Sequence, residues 1–264
     1  MKEKLYKNRN WMHYHYVVRE ESTYVMARIA DCTHTTIWRR LHGFDIPTRS
    51  LSEATFLAER NYLDFSSELS DLIEGELLGD GCITMSSSRS ARYSHTSKYK
   101  EYLIWLSKIF ASLGLEQSGK INRYWNKSYN AFYYNYTSRS YPELVPLRQK
   151  WYPNDKKIVP KNLKLNPTMA RQWYIGDGCL EPTKGRPDTS FSTCDFDKAS
   201  IDHLLEELGS KGFKVGHRLA SNTIGMSTKS IKDFLDWIGP CPINCYSYKW
   251  DYQDNRKRAR AQNI

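Results

Sequence analysis

No stretch of this sequence approaches the roughly 20 consecutive apolar residues that a membrane-spanning helix needs, so no helical membrane span is expected. The first residues, Met1-Lys2-Glu3-Lys4-Leu5-Tyr6, lack the apolar core of a secretory signal. An intracellular protein, cytoplasmic or nucleoid-associated and not secreted, is the expectation. Cysteine is present but unpaired in pattern. Cys32, Cys82, Cys179, Cys194, Cys241 and Cys245 form no Cys-x-x-Cys and have no histidine at zinc spacing, so free thiols near the core are expected. Acidic residues are the minority charge, 29 against 39 Lys and Arg, for a net charge of +10.

What is abundant is cation and ring. Nineteen Tyr and 8 Trp accompany that positive charge, a mixture suited to an anionic, grooved partner such as nucleic acid. With 264 residues, 40% of them hydrophobic, the chain is long enough for one large domain or two medium ones.

Residues 1–50 read as a small helical module. Tyr14 to Arg19 is a short helix. Ser22 caps Thr23 to Ala30 and Thr33 caps His34 to Leu41, with Asp31-Cys32 as the tight corner between them. Ala27, Ile37 and Leu41 are the shared core that a helix-turn-helix requires. Its second helix exposes His34, Thr35, Arg39 and Arg40, which suits base-edge and phosphate contacts in a major groove of double-stranded DNA. Pro47 ends the module, and residues 51–66 read as a connector.

The remainder is a duplication. Leu77-Leu78-Gly79-Asp80-Gly81-Cys82-Ile83 returns as Tyr174-Ile175-Gly176-Asp177-Gly178-Cys179-Leu180. Helical and alternating patterns around each copy give the same element order, αββαββα, over residues 67–152 and 167–250. Asp80 precedes the helix-stopping Gly114 by 34 residues and Asp177 precedes Gly212 by 35. Thr137-Ser138-Arg139-Ser140 and Ser227-Thr228-Lys229-Ser230 form a second matched pair. The fold class is therefore α+β, two tandem pseudo-twofold units after an all-α module. Residues 153–166, rich in Lys and Pro, read as a linker, and 251–264 as a basic tail.

Each Gly-Asp-Gly closes a helix, with Gly81 and Gly178 expected as left-handed C-caps. Helix ends carry unpaired carbonyls and partial negative charge. Two such ends side by side, each with an Asp, attract a cation. Mg2+ (or Mn2+) suits Asp80 and Asp177, with the Gly79 and Gly176 carbonyls as further ligands, because that ion takes one or two carboxylates and leaves positions for water and phosphate. The matching chemistry is phosphodiester hydrolysis. Close helix approach would be allowed by Gly75, Gly79 and Gly176.

With Ile73-Glu74-Gly75-Glu76-Leu77-Leu78-Gly79-Asp80-Gly81 and Ala170-Arg171-Gln172-Trp173-Tyr174-Ile175-Gly176-Asp177-Gly178, the chain resembles the LAGLIDADG homing endonucleases with two motifs. The resemblance covers about residues 67 to 250. It implies a monomer whose two sheets form a saddle over the DNA major groove. It also implies that Asp80 and Asp177 are catalytic metal carboxylates, one acting mainly on each strand to leave short 3′ overhangs. Family members add a basic residue per site, for which Lys120 and either Lys214 or Arg218 stand at the third strand of their units. Gln172, Glu74 and Glu76 depart from the small or apolar residues usual at those motif positions.

Sequence reading falls to the solvent side of the strands, with Thr84, Ser86, Ser88, Arg92, Ser190, Ser192, Thr223 and Ser227 as candidates and Arg92 best suited to guanine. The faces of Tyr133, Tyr134 and Tyr136 are undetermined by pattern. Two functions fit: a metal-dependent, site-specific DNA endonuclease, or an RNA-binding intron maturase or non-cutting DNA-binding regulator on the same scaffold, the former of these having its own intron RNA as partner. Retention of both Asp favours cutting, since a pure binder gains nothing from two carboxylates at a charge-repelling junction.

Overall fold

The structure is a computed structural model that describes residues 4–183 and 186–252; the basic tail around 255–260 lies outside the described residues. They divide into two compact units, with the division after Arg60.

The first unit is helical. Helix α1 (Arg9–His13) is capped by the Asn8 side chain and continues as a π-helical turn over Tyr14–Val18. Ser22 accepts from the Val25 N–H to start α2 (Thr23–Ile29), and Thr33 accepts from the Thr36 N–H to start α3 (His34–Gly43). Between them Asp31 takes φ 49°, the left-handed corner that a glycine often fills and that Asp tolerates. Met12, Tyr16, Met26, Ala27, Ile37, Leu41 and Ile46 form the core. Residues 51–66 are not all irregular: α4 (Leu51–Glu59) starts with a full capping box between Ser50 and Glu53 and belongs with this unit.

In the second unit the αββαββα order occurs twice. The first copy runs α5 (Ser67–Leu78), β1 (Gly81–Ser87), β2 (Ser90–Ser97), α6 (Lys100–Ser112), β3 (Asn122–Asn126), β4 (Ala131–Thr137) and α7 (Leu144–Trp151). The second runs α8 (Pro167–Asp177), β5 (Gly178–Thr183), β6 (Arg186–Ser192), α9 (Lys198–Ser210), β7 (Val215–Arg218), β8 (Thr223–Met226) and α10 (Thr228–Ile238). Each builds an antiparallel four-stranded sheet, ordered β1-β2-β4-β3 and β5-β6-β8-β7. Registers match across the duplication: Cys82 pairs Ser94 as Cys179 pairs Ser190. One face of each sheet is apolar and covered. Tyr93 and Tyr136 meet Phe110 of α6, and Phe191 stacks on Trp173 at 4.3 Å.

Helices α6 and α9 end as the sequence implies, with Gly114 at φ 86° and Gly212 at φ 89°. Helices α5 and α8 do not. Neither Gly81 nor Gly178 has positive φ, and the chain passes directly into a strand. Their glycines answer to crowding instead. A Cβ on Gly81 would stand 2.8 Å from the Glu76 carbonyl oxygen, and one on Gly178 would overlap the Tyr174 ring.

Strand register settles the faces. Tyr136 is core, Tyr134 packs partly against it, and Tyr133 pairs with Tyr124 on the polar face. Two expected strand contacts move off the strands. Ser88 lies in the turn after β1, and Ser227 is the N-cap residue of α10. The segment 153–166 is more than a spacer, because Val159, Leu163 and Leu165 are buried in the core.

Candidate active site at the helix junction

Helices α5 and α8 pack on each other along their glycines. A Cβ on Gly75 would lie 2.7 Å from Met169 Cα and 3.0 Å from Gln172 Cβ. One turn on, a Cβ on Gly176 would lie 3.3 Å from Gly79 Cα and 3.6 Å from Asp80 Oδ2. The backbones thus touch, and Asp80 and Asp177 leave the pair at its common end. Gln172 is fully buried beside Gly75 with both amide atoms unpartnered, so the upper contact is closed by a polar side chain that gains nothing there.

The two glutamates that break the motif have partners. Glu74 accepts from Lys150 Nζ at 2.8 Å and from Trp151 Nε1 at 3.1 Å. Glu76, 1% exposed, accepts from the Tyr93 and Tyr102 hydroxyls and lies 2.7 Å from His95 Nδ1. Trp173 and Phe191 stand at the matching positions of the second copy. One half of the duplication holds a buried polar network where the other holds a ring stack.

Two ammonium groups sit on the helix ends. Lys157 Nζ donates to the Gly79 carbonyl at 2.9 Å. Lys249 Nζ donates to the carbonyls of Ile175 at 2.6 Å and Gly176 at 3.2 Å. Each neutralises the negative end of a helix dipole. Burial pulls the Lys249 ammonium down to about 8, although Asp80 and Asp177 favour its charge. Lys157 is lowered for the same reason, against Asp177 and Asp195. Asp177 is pushed up to about 7, by burial first and by the Asp80 charge second.

Asp80, Asp177 and Lys157 border a cleft of about 300 Å³ that Tyr152, Cys194 and Asp195, among others, also line. Among the described residues, no three His, Cys, Asp or Glu side chains gather as a closed metal cage. Two carboxylates that resist sharing negative charge, opening on a polar cleft, are the donor set of a hard cation that completes its shell with water and phosphate oxygens. Mg2+ fits it.

A sequence profile of the LAGLIDADG DNA endonuclease family matches residues 70–234, which spans both motif helices and both sheets. The chain belongs to the LAGLIDADG DNA endonuclease family. An uncharacterised protein of Methanocaldococcus jannaschii is 28% identical over 202 residues, 75% of this chain and 76% of that protein. The homing endonuclease I-WcaI bound to its DNA recognition sequence shares the fold at a TM-score of 0.61 and 18% identity, over 77% of this chain and 93% of that one.

Within this LAGLIDADG scaffold the expected site residues separate. Asp80, Asp177, Gly79 and Gly176 come together; Lys120, Lys214 and Arg218 do not join them. Lys120 precedes β3 and is exposed, Lys214 precedes β7 and is exposed, and Arg218 ends β7 with its guanidinium on Asp188 at 2.6 and 2.7 Å. Arg218 lies across Gly225, whose missing side chain makes room for it. The bases beside the carboxylates are Lys157 and Lys249, which sequence reading missed along with Asp195. One signal was available: each lysine follows the last helix of its repeat, α7 or α10, after a short 3₁₀ turn or within one.

On the polar sheet faces, Thr84 pairs Arg92, and Ser192 pairs Thr223, all on the side away from the core. Ser190 lies on that face beside Cys179, and Ser86 bonds Ser140. In the first unit His34, Thr35, Arg39 and Arg40 are all exposed on α3, with Tyr24 of α2 stacked on His34 at 4.5 Å.

Proposed function

We propose that this protein is a site-specific, metal-dependent DNA endonuclease that cuts both strands of a long duplex and leaves short 3′ overhangs. The observation that carries this is the convergence of Asp80 and Asp177 at one junction of close-packed helices, with a lysine at each helix end. The tandem duplication supplies both halves of a two-strand site within one chain, so the working form is a monomer.

In this reading Asp80 and Asp177 would hold Mg2+ (or Mn2+), with the Gly79 and Gly176 carbonyls, which accept from Lys157 and Lys249 here, as the further candidate ligands. Bound there, the ion lowers the pKa of an attacking water and stabilises the leaving oxygen. The chain's own groups do the rest. Lys157 and Lys249 place positive charge beside the phosphate, and Lys249, at about 8, is able to change protonation near neutral pH. Asp195 adds a third carboxylate to the cleft lining, where it would orient water. Thr84, Arg92, Ser190, Ser192 and Thr223 face the major groove from the two sheets, and α3 adds contacts outside the cut site through His34, Thr35, Arg39 and Arg40.

A non-cutting DNA-binding regulator, or a maturase acting on its intron RNA, is the second reading. What favours it is that Lys157 and Lys249 already occupy the carbonyls at the helix ends, where a cation would otherwise gain most. The test is incubation of the protein with a library of long duplexes and each divalent ion in turn, followed by sequencing of the ends. Recurrent ends with a fixed 3′ stagger are expected with Mg2+. No cleavage with any divalent ion overturns the enzyme reading.

A further inference from the structure

The two sheets carry different chemistry on their polar faces. Matched registers put Thr84 opposite Arg92 in the first sheet and Glu181 opposite Asp188 in the second. A hydroxyl and a guanidinium in one copy are thus answered by two carboxylates in the other. No strand of the first sheet contains an acid, whereas β5 and β6 hold one each. A carboxylate turned toward a duplex repels its phosphates and finds its base partner chiefly in the amino group of cytosine.

Asp188 is engaged within its own sheet. Arg218 reaches across Gly225 and donates from both terminal nitrogens to the Asp188 carboxylate, at 2.7 and 2.6 Å. The end of the guanidinium fork that suits guanine O6 and N7 is thereby occupied. What remains on that face is Ser190, Ser192 and Thr223, short hydroxyls that accept or donate at any base edge, beside Gly216 and Gly225 with no side chain.

The first sheet holds asparagines where the second has Arg218 and Thr223. Asn122 pairs Asn135, and Asn135 pairs Thr96 as Thr223 pairs Ser192. The Asn135 amide is already oriented, donating to Thr96 Oγ1 at 3.0 Å and accepting from Thr137 Oγ1 at 2.9 Å. One N–H and one lone pair are left, the complement of adenine N7 and N6. Strand β7 ends at Arg218, but β3 runs past Asn122 to Asn126 and sets Tyr124 opposite Tyr133 on the same polar side.

We infer that base preference is carried by one half of the target, the half under the first sheet, through Arg92, Asn122 and Asn135, and that Asp188 keeps Arg218 out of base reading in the other half. This rests on the proposed placement of both sheets against duplex DNA and does not require cutting.

The test selects duplexes from a randomised library with the full chain in EDTA, so that binding is read without cleavage, and sequences what is retained. Positions read by α3 are identified with an Arg39→Ala, Arg40→Ala variant and set aside. Of the rest, Arg92→Ala, Asn122→Ala and Asn135→Ala should each relax discrimination at one or two base pairs by about 10-fold. Asn122 is exposed, so its variant keeps the test valid if loss of the Asn135 bonds disturbs the strand. Ser192→Ala, Thr223→Ala and Arg218→Ala should leave every preference within about twofold. Asp188→Ala releases Arg218 and should add a guanine preference at a position the native protein leaves free. The inference is overturned if Arg218→Ala or Thr223→Ala relaxes a native preference as strongly as Asn122→Ala does, or if Asp188→Ala adds none. Selection of no sequence at all overturns the duplex-binding reading together with this inference. Preferences that map to the first sheet in a protein that does not cut with Mg2+ support the inference and overturn only the endonuclease reading.

Discussion

Gly79 and Gly176 face each other so closely that a Cβ on Gly176 would stand 3.3 Å from the Gly79 Cα. That contact brings two helix ends, two carboxylates and two lysines to one place, and the measurable consequences start from the packing that allows it.

Substitution along this seam should cost stability in proportion to the space denied. Gly75→Ala puts a methyl 2.7 Å from the Met169 backbone and is expected to destabilise by about 1–3 kcal/mol. Gly216→Ala, with nothing within 4 Å, serves as the control and should stay within about 0.5 kcal/mol. Urea denaturation compares them.

The Asp177 carboxyl, at about 7, gives a pH signature. Its folded pKa lies above the unfolded value, so between about pH 4 and 7 the folded chain keeps a proton that the unfolded chain releases, and this group's contribution to stability falls as pH rises. Asp177→Asn should therefore gain on the native protein through that window. The gain levels off above pH 7 at about 1–3 kcal/mol, after allowance for partial exposure. Melting curves in EDTA measure it, and Mg2+ should stabilise the native protein more at pH 8 than at pH 6.

His95 gives the opposite kind of group. Burial alone would hold its imidazolium down, but the Glu76 charge and hydrogen bond outweigh that and leave the pKa raised. Its stabilising contribution is complete below the unfolded value near 6.5 and is lost as pH rises through the folded one. Glu76→Gln should flatten this fall in melting temperature above neutrality. Glu76→Ala should cost about 3–5 kcal/mol, because it strands two buried tyrosine hydroxyls and the imidazole.

Lys249 should matter to catalysis out of proportion to its effect on folding. Lys249→Met is expected to lower the cutting rate by about 10²-fold, the usual cost of removing one preorganised donor near a developing charge. Lys120→Met should leave the rate within twofold, since Lys120 is exposed ahead of β3 and, unlike Lys249, makes no hydrogen bond to the helix ends that carry Asp80 and Asp177. Single-turnover cleavage of a recovered target measures both.

The parts of this molecule written as periodicity were legible in its sequence. Helices α6 and α9, with their glycine stops, follow from the spacing of Leu103, Leu106 and Phe110 and of Ile201, Leu204 and Leu208. Asp80 and Asp177 were legible because the motif repeats. Lys157 and Lys249 were not, because each lies in an aperiodic segment where burial is set by tertiary contacts, such as the Ser200 bond to the Val159 N–H and the Tyr174 bond to the Lys249 carbonyl. Glu76 read as a defect in a packed helix because its partners, Tyr93, His95 and Tyr102, come from other elements. Gly81 read as a C-cap because a local rule cannot see the Tyr93 hydroxyl pressed against it.

The proposed cleavage rests on Asp80 and Asp177. Strand-resolved cleavage of an end-labelled target should be compared for the native protein, Asp80→Asn, Asp177→Asn and the double variant, in Mg2+. The expected result is cleavage of both strands by the native protein, a severe loss with either single variant that falls unequally on the two strands, and none with the double variant. Unchanged cleavage by the double variant, in a protein that folds normally, would rule out Asp80 and Asp177 as the cleaving carboxylates.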